Sequence, residues 1–217
     1  SQQREFAWAR ADVTDAAELA RQIADLESRL GPVELLIASA GVAGDTPALS
    51  LDPAAVEQII RVNLIGTSNT LAAVLPGMLA RKRGHIVALS SLASFAGLPA
   101  QMAYCASKAG LNAMMESLWL DVRHHGIHVT TICPGYIDTP QATGMYRPEY
   151  LLPVQQATSA ILRAIESRQR FCAFPRWTAL QLKLLRLLPG WLQDWLLVRA
   201  IKKARVEVPA ESASTRT

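Results

Sequence analysis

His85-Ile86-Val87-Ala88-Leu89-Ser90-Ser91, followed by Tyr104-Cys105-Ala106-Ser107-Lys108, decides how this chain folds. The first run is short and apolar, the pattern of a strand buried on both faces in a parallel sheet. From Gln101 to His124 the spacing predicts a helix, with Tyr104 and Lys108 one above the other on the same face. Tyrosine titrates near pH ~10, too high for proton transfer around neutrality. A neighbouring ammonium favours the phenolate and lowers that value, and the Ser91 hydroxyl, upstream of the helix, can hydrogen-bond a carbonyl or alcohol oxygen. Tyr104 would then exchange a proton with a substrate oxygen that Ser91 holds.

Strand and helix alternate to either side. Upstream, Glu5–Ala11 reads as a short strand, and Thr14 or Asp15 caps a helix from Ala16 to Leu30 that Gly31-Pro32 stops. Leu35–Ala38 is a second buried strand, ending in Ser39-Ala40-Gly41, and Asp52-Pro53 opens a helical region to about Lys82, broken upstream near residues 50–52. Downstream, Ile127–Cys133 is a strand closed by Pro134-Gly135, Pro153–Ser167 a helix, and Phe171–Phe174 a last strand. Trp177–Leu188 and Trp191–Arg205 read as two apolar helices carrying basic residues, and Val206–Thr217 as a frayed tail. This order calls for a doubly wound α/β sheet with helices on both faces and right-handed crossovers. In such sheets ligands bind outside the carboxyl ends of the strands, where Ser39–Gly41, Ser91 and Pro134-Gly135 all fall.

The bulk properties bound the answer. A chain of 217 residues, half of them apolar, is one globular domain. Cys105, Cys133 and Cys172 are far apart and lack metal-ligand spacing, which argues for a reducing, cytoplasmic setting and against a disulfide framework or a metal site. The net charge of +4 sits mostly after Arg168, without the basic stripe and interleaved aromatics of a nucleic-acid groove. A membrane surface, met peripherally through 177–205, suits those helices better. The alternatives are that they cover a substrate cleft or pack against a second subunit.

Together these residues resemble the short-chain dehydrogenase/reductase family, Rossmann-type α/β/α enzymes, over nearly all of the chain as far as Phe174. On that resemblance residues 1–175 form a Rossmann-fold domain and 176–217 its helical extension. It implies a tetrad of Asn63, Ser91, Tyr104 and Lys108, with Asn63 holding a water near the lysine. It also implies an NAD(P) cofactor, NADP favoured over NAD, and a homodimer or homotetramer. Asp12 and Val13, in Asp12-Val13-Thr14-Asp15, would meet the adenine. Ser39, Ala40 and Gly41, Pro134 and Gly135, backbone at Ile137 and the hydroxyl of Thr139 would line the dinucleotide, Ile137 and Thr139 fixing the carboxamide. Tyr104 and Lys108 complete the set, Lys108 through the nicotinamide ribose. Gln141, Met145, Tyr146, Tyr150, Leu151 and Leu152 give the substrate loop an apolar character suited to a lipid- or steroid-like carbonyl or alcohol.

Two departures stand out. Ser39 replaces the usual asparagine of the family's Asn-Ala-Gly motif, so the bridging role of that amide weakens or passes to water. The family's opening strand, its Thr-Gly-x-x-x-Gly-x-Gly turn and a second strand do not occur in the sequence, and that turn holds the pyrophosphate at a helix N-terminus. The expected strand order 3-2-1-4-5-6-7 then leaves an apolar edge beside Leu35 and makes the chain an N-terminally incomplete member. The rival expectation is a truncated, non-catalytic relative that acts by association with itself or a membrane. Either that opening segment is present in the molecule or the gene product is truncated; for a truncated product, titration of the 217-residue chain with NADPH, followed by nucleotide fluorescence, should give weak or no binding, and a micromolar dissociation constant would overturn this.

Overall fold

β1 (Leu35–Ala38), β2 (Gly84–Leu89), β3 (Ile127–Pro134) and β4 (Phe171–Phe174) pair in that order, every pair parallel. The computed structural model describes residues 6–140, 142 and 146–204. Gln141, Met145 and the tail Val206–Thr217 lie outside the described residues, as does Glu5. The order matches the last four strands of the expected sheet.

The connecting helices start and stop where local chemistry dictates. In α1 (Ala16–Leu30) it is Asp15 that caps, its carboxylate accepting from the backbone N–H of Ala17 and Glu18, and Gly31 ends the helix at φ 89°. Asp52 caps α2 (Pro53–Ile60) through Ala54 N–H, with Pro53 at the first helical position. α3 (Gly66–Arg81) follows without a break in the helical path, through one π turn at Arg61–Ile65. The irregularity in this region is that turn; upstream there is only a short 3₁₀ turn at Ala48–Ser50. α4 (Met102–Val122) and α5 (Val154–Glu166) complete the alternation, and α6 (Arg176–Leu185) and α7 (Gly190–Ala204) follow β4.

Strand alternation splits the core between two faces. Ile86, Ala88 and Val129 meet Leu71, Val74 and Met78 of α3 and Leu111 and Met115 of α4, with Leu36, Ala38 and Ile23 of α1 against them. On the other face Val87, Ile132 and Phe174 pack on Ala157 and Ile161 of α5. The run from Pro53 to Arg81 is long and apolar enough to cross a membrane, yet Ile59, Asn63, Leu71, Val74 and Met78 along it are buried in the core.

Two expectations fail, for one reason. Residues 6–11 form no strand, and β1 is not buried on both faces: Leu35 and Ile37 are 44% and 47% exposed. α5 covers β2 to β4 but no described element covers the outer face of β1, and no described strand lies beside residues 6–11. An extended segment without a partner strand leaves its backbone groups to water.

At the opposite edge from the strand ends, His85 and His128 lie in register with ring centroids 6.1 Å apart. His85 Nε2 is 2.8 Å from Thr130 Oγ1, and Arg168 Nη1 is 3.0 Å from His128 Nε2. Burial first, then His128 and Arg168, hold His85 below its ordinary 6.5; burial and Arg168 act the same way on His128. The unfolded chain therefore binds protons at a pH where the folded one refuses them, so this pair costs stability as the pH falls below 6.5. The denaturant midpoint should be lower at about pH 5.5 than at about pH 7.5, and His85→Gln should narrow the gap; an unaltered gap in the variant would exclude His85 as a source.

Candidate active site

Parallel pairing puts the carboxyl ends of β1, β2 and β3 at one edge, and α4 crosses behind them. Lys108, the second buried polar residue of α4 after Ser107, is tied twice to the end of β2. Its Nζ donates to Leu89 O at 2.9 Å, and Ser90 Oγ donates to Lys108 O at 3.2 Å. Burial pushes its ammonium down to about 8. The structure thus keeps a cation within a low-dielectric region at a fixed distance, 5.8 Å, from the Tyr104 ring centroid.

Asn63 is fully buried in the π turn, and each of its amide atoms is occupied. Oδ1 accepts from Val42 N–H at 2.7 Å, and Nδ2 donates to Val42 O at 2.9 Å and to Ser107 Oγ at 3.0 Å. Ser107 Oγ in turn donates to Tyr104 O. One side chain therefore fastens the loop after β1 to the turn of α4 that bears Tyr104. Ser39 and Ala40 are exposed. Gly41 lies between the partners: a Cβ there would stand 3.3 Å from Asn63 Oδ1 and 3.4 Å from Lys108 Nζ. Only glycine leaves that approach open.

Ser91 leaves β2 in an extended conformation and caps a short turn through Ala93 N–H. Its carbonyl accepts from Ser94 Oγ at 2.6 Å, Ser94 Oγ accepts from Asn112 Nδ2 at 2.7 Å, and Cys133 Sγ lies 3.5 Å from Asn112 Oδ1. This relay, which no motif announces, holds the serine loop against α4 and β3. Burial raises the Tyr104 phenol above its ordinary 10, and the hydrogen bond with Ser91 works against that rise. Against the expected lowering by Lys108, burial sets the direction, and the ammonium is directed at Leu89 O.

The remaining residues surround this centre. Gly135 N–H donates to Phe174 O, fixing the turn after Pro134, and Leu152 N–H donates to Tyr136 O, with Ile137 bridged to Leu152. Thr139 Oγ1 donates to Ile137 O at 3.4 Å. Tyr146 is not merely apolar lining: its hydroxyl accepts from Gln101 Nε2 at 2.9 Å, and its ring stacks on Tyr136 at 3.8 Å. Asp12 closes a turn on itself, accepting from Thr14 N–H and Oγ1, which hold its carboxylate below the usual range. Val13 packs on α3, where a Cβ at Gly66 would come within 2.6 Å of it, and Asn69 donates to Val13 O. Asp12 and Val13 are thereby anchored one helical turn beyond Asn63. Two clefts, of about 450 and 440 Å³, lie elsewhere, one along α5 and one between α4 and β4, and neither is lined by Tyr104 or Ser91.

Against a nicotinamide dinucleotide the fit is partial. Of the three N–H donors of an ammonium, Lys108 directs one at Leu89 among the described residues, and Gly41 keeps the approach to it clear. Among the described residues no glycine-rich turn opens a helix to receive a pyrophosphate.

Residues 1–149 match the family model described as short chain dehydrogenase. An uncharacterized oxidoreductase of Myxococcus xanthus is 39% identical over 184 residues, 84% of this chain and 73% of that protein. A protein of Xanthobacter autotrophicus named inactive 2-(S)-hydroxypropyl-CoM dehydrogenase 2 is 37% identical over 58% of this chain and 55% of its own length. The chain spans about half of other curated relatives too, 54% and 52% of two of them. Among solved structures, a short chain dehydrogenase from Burkholderia cenocepacia in complex with NADP superposes with a TM-score of 0.76 at 25% identity, over 88% of this chain and 80% of that one.

Holding the Lys108 ammonium in the interior opposes folding. At neutral pH the folded lysine, at about 8 against 10.5 in the open chain, pays a penalty that vanishes as the pH rises from 8 through 10.5. Lys108→Met should therefore stabilise the fold at neutral pH by on the order of 1 kcal/mol, after the lost bond to Leu89 O is set against the removed charge. The gain should shrink at alkaline pH in denaturant titrations; a variant less stable than the parent at every pH would refute it.

Proposed function

Because the chain belongs to the short-chain dehydrogenase family, we propose that it is an NAD(P)-dependent oxidoreductase acting on an apolar secondary alcohol or ketone, with Tyr104 as general acid and base. The observation that carries this reading is the convergence on one sheet edge of a half-buried phenol, a serine hydroxyl bonded to it, and a buried ammonium. When bound, the dinucleotide supplies or takes up the hydride. Lys108 would hold its ribose with the donors not directed at Leu89, Gly41 and Ala40 would pass beneath it, and backbone at Ile137 and the hydroxyl of Thr139 would meet the carboxamide. Ser91 donates a hydrogen bond to the substrate oxygen, and Tyr104 delivers or removes the proton there.

The direction of the Tyr104 shift favours reduction. A phenol held above its ordinary 10 stays protonated at neutrality and is ready to donate to the oxygen of a ketone as that oxygen gains charge. NADP is favoured over NAD because the Burkholderia neighbour named above was solved with NADP. Tyr136, Tyr146 and Leu152 beside the centre support a lipophilic substrate. A non-catalytic reading, in which the chain acts by association, is supported by the resemblance to a relative named inactive.

With NADPH raised well above micromolar levels and a series of apolar ketones as substrates, the chain should oxidise NADPH. Tyr104→Phe should lower kcat by about 10²–10⁴-fold, leaving the melting temperature and the KM for NADPH unaltered. The reduction rate should hold steady through neutrality and fall in two stages, first as the pH passes about 8, where Lys108 loses its charge, and again as it passes the raised tyrosine value. Absence of turnover in the parent at every nucleotide concentration would favour the non-catalytic reading.

A further inference from the structure

We propose that the outer face of α6 and α7 docks on an anionic lipid surface. In α6 the exposed side chains Trp177, Leu180 and Leu184 recur at helical spacing, and in α7 Trp191, Trp195 and Val198 do the same, so each helix presents an apolar stripe to solvent. The three tryptophans are 69%, 74% and 54% exposed. The opposite side of α6 is already used: Ala179 and Leu182 pack on Leu92 and Cys133. Exposed apolar surface of this extent on a folded chain marks an interaction site.

Charge selects the occupant. Arg176, Lys183, Arg186, Arg199, Lys202 and Lys203 face a single acid, Asp194, across residues 176–204, a balance of +5 against +4 for the whole chain. The rest of the protein is thus close to neutral. No ion pair among the described residues involves any of the six cations. Lys183 lies over Phe95 and Phe171 and Arg186 donates to Phe95 O, yet the remaining cations still leave an excess of positive charge, and a second copy meeting this face through a two-fold axis would set like charge against like charge. Anionic headgroups complement it, and tryptophan flanked by lysine and arginine is the composition of helices that lie in a lipid interface. At 15 residues, α7 is too short to span a bilayer. The docking stands independently of the oxidoreductase reading, because it rests on surface rather than on the site.

The experiment is flotation of the full chain with phosphatidylcholine vesicles, with and without phosphatidylglycerol, together with tryptophan emission. Expected are flotation only with the anionic vesicles, a blue shift, and release by salt. The double variant Lys202→Gln, Lys203→Gln should bind about thirtyfold more weakly, from about 1 kcal/mol for each cation near the surface. The double variant Trp191→Ser, Trp195→Ser should lose the blue shift while melting as the parent does. Failure to float with anionic vesicles, or equal flotation with neutral ones, overturns the proposal. Self-association without lipid binding, abolished by Trp195→Asp, would assign the face to a second copy instead.

Discussion

The bond from the Lys108 ammonium to the Leu89 carbonyl is the constraint on which the candidate site depends. It joins a helix to the end of a central strand by a charge-assisted contact in a region where an unpaired ammonium would be costly. Ser90 returns a hydrogen bond to the backbone of the same lysine, so helix and strand are locked in register from both sides. With that register set, Tyr104 is carried one helical turn away to the position where it meets Ser91.

Around this lock the molecule uses amides as braces. Asn63 holds both backbone groups of Val42 and the hydroxyl of Ser107; Asn69 holds the carbonyl of Val13; Asn112 holds Ser94, which holds Ser91. Each connects segments distant in sequence at the carboxyl edge of the sheet, where loops would otherwise move independently. The π turn at Arg61–Ile65 belongs to the same scheme, since such turns shift the facing of a helix locally and this one bears Asn63.

Much of this was legible in the sequence wherever a local signal governs the structure. Asp15, Gly31 and Pro53 mark helix ends, and the runs at Leu35 and Phe171 give strands with the observed limits. The π turn was not legible, because Arg61–Ile65 are ordinary helix residues and only their tertiary bonds distort them. The partners of Tyr146 and Asn112 were hidden for the same reason: Gln101 and Ser94 are brought close by the fold alone. The direction of the Tyr104 shift depends on how deeply the ring is covered and where the ammonium is directed, and spacing encodes neither. The exposed side of β1 likewise follows from which elements lie over it, not from the composition of Leu35–Ala38.

The α6–α7 hairpin is fastened at its bend and at its far end. Arg186 donates to the carbonyl of Phe95, on the segment that follows Ser91, and the carbonyl of Ala204 accepts from Arg147, next to Tyr146. The segment that follows Ser91 and the loop that carries Tyr146 are consequently tied to one helical hairpin. Any widening between them must stretch or tilt that hairpin, so their separation and the posture of the two helices become a single mechanical coordinate.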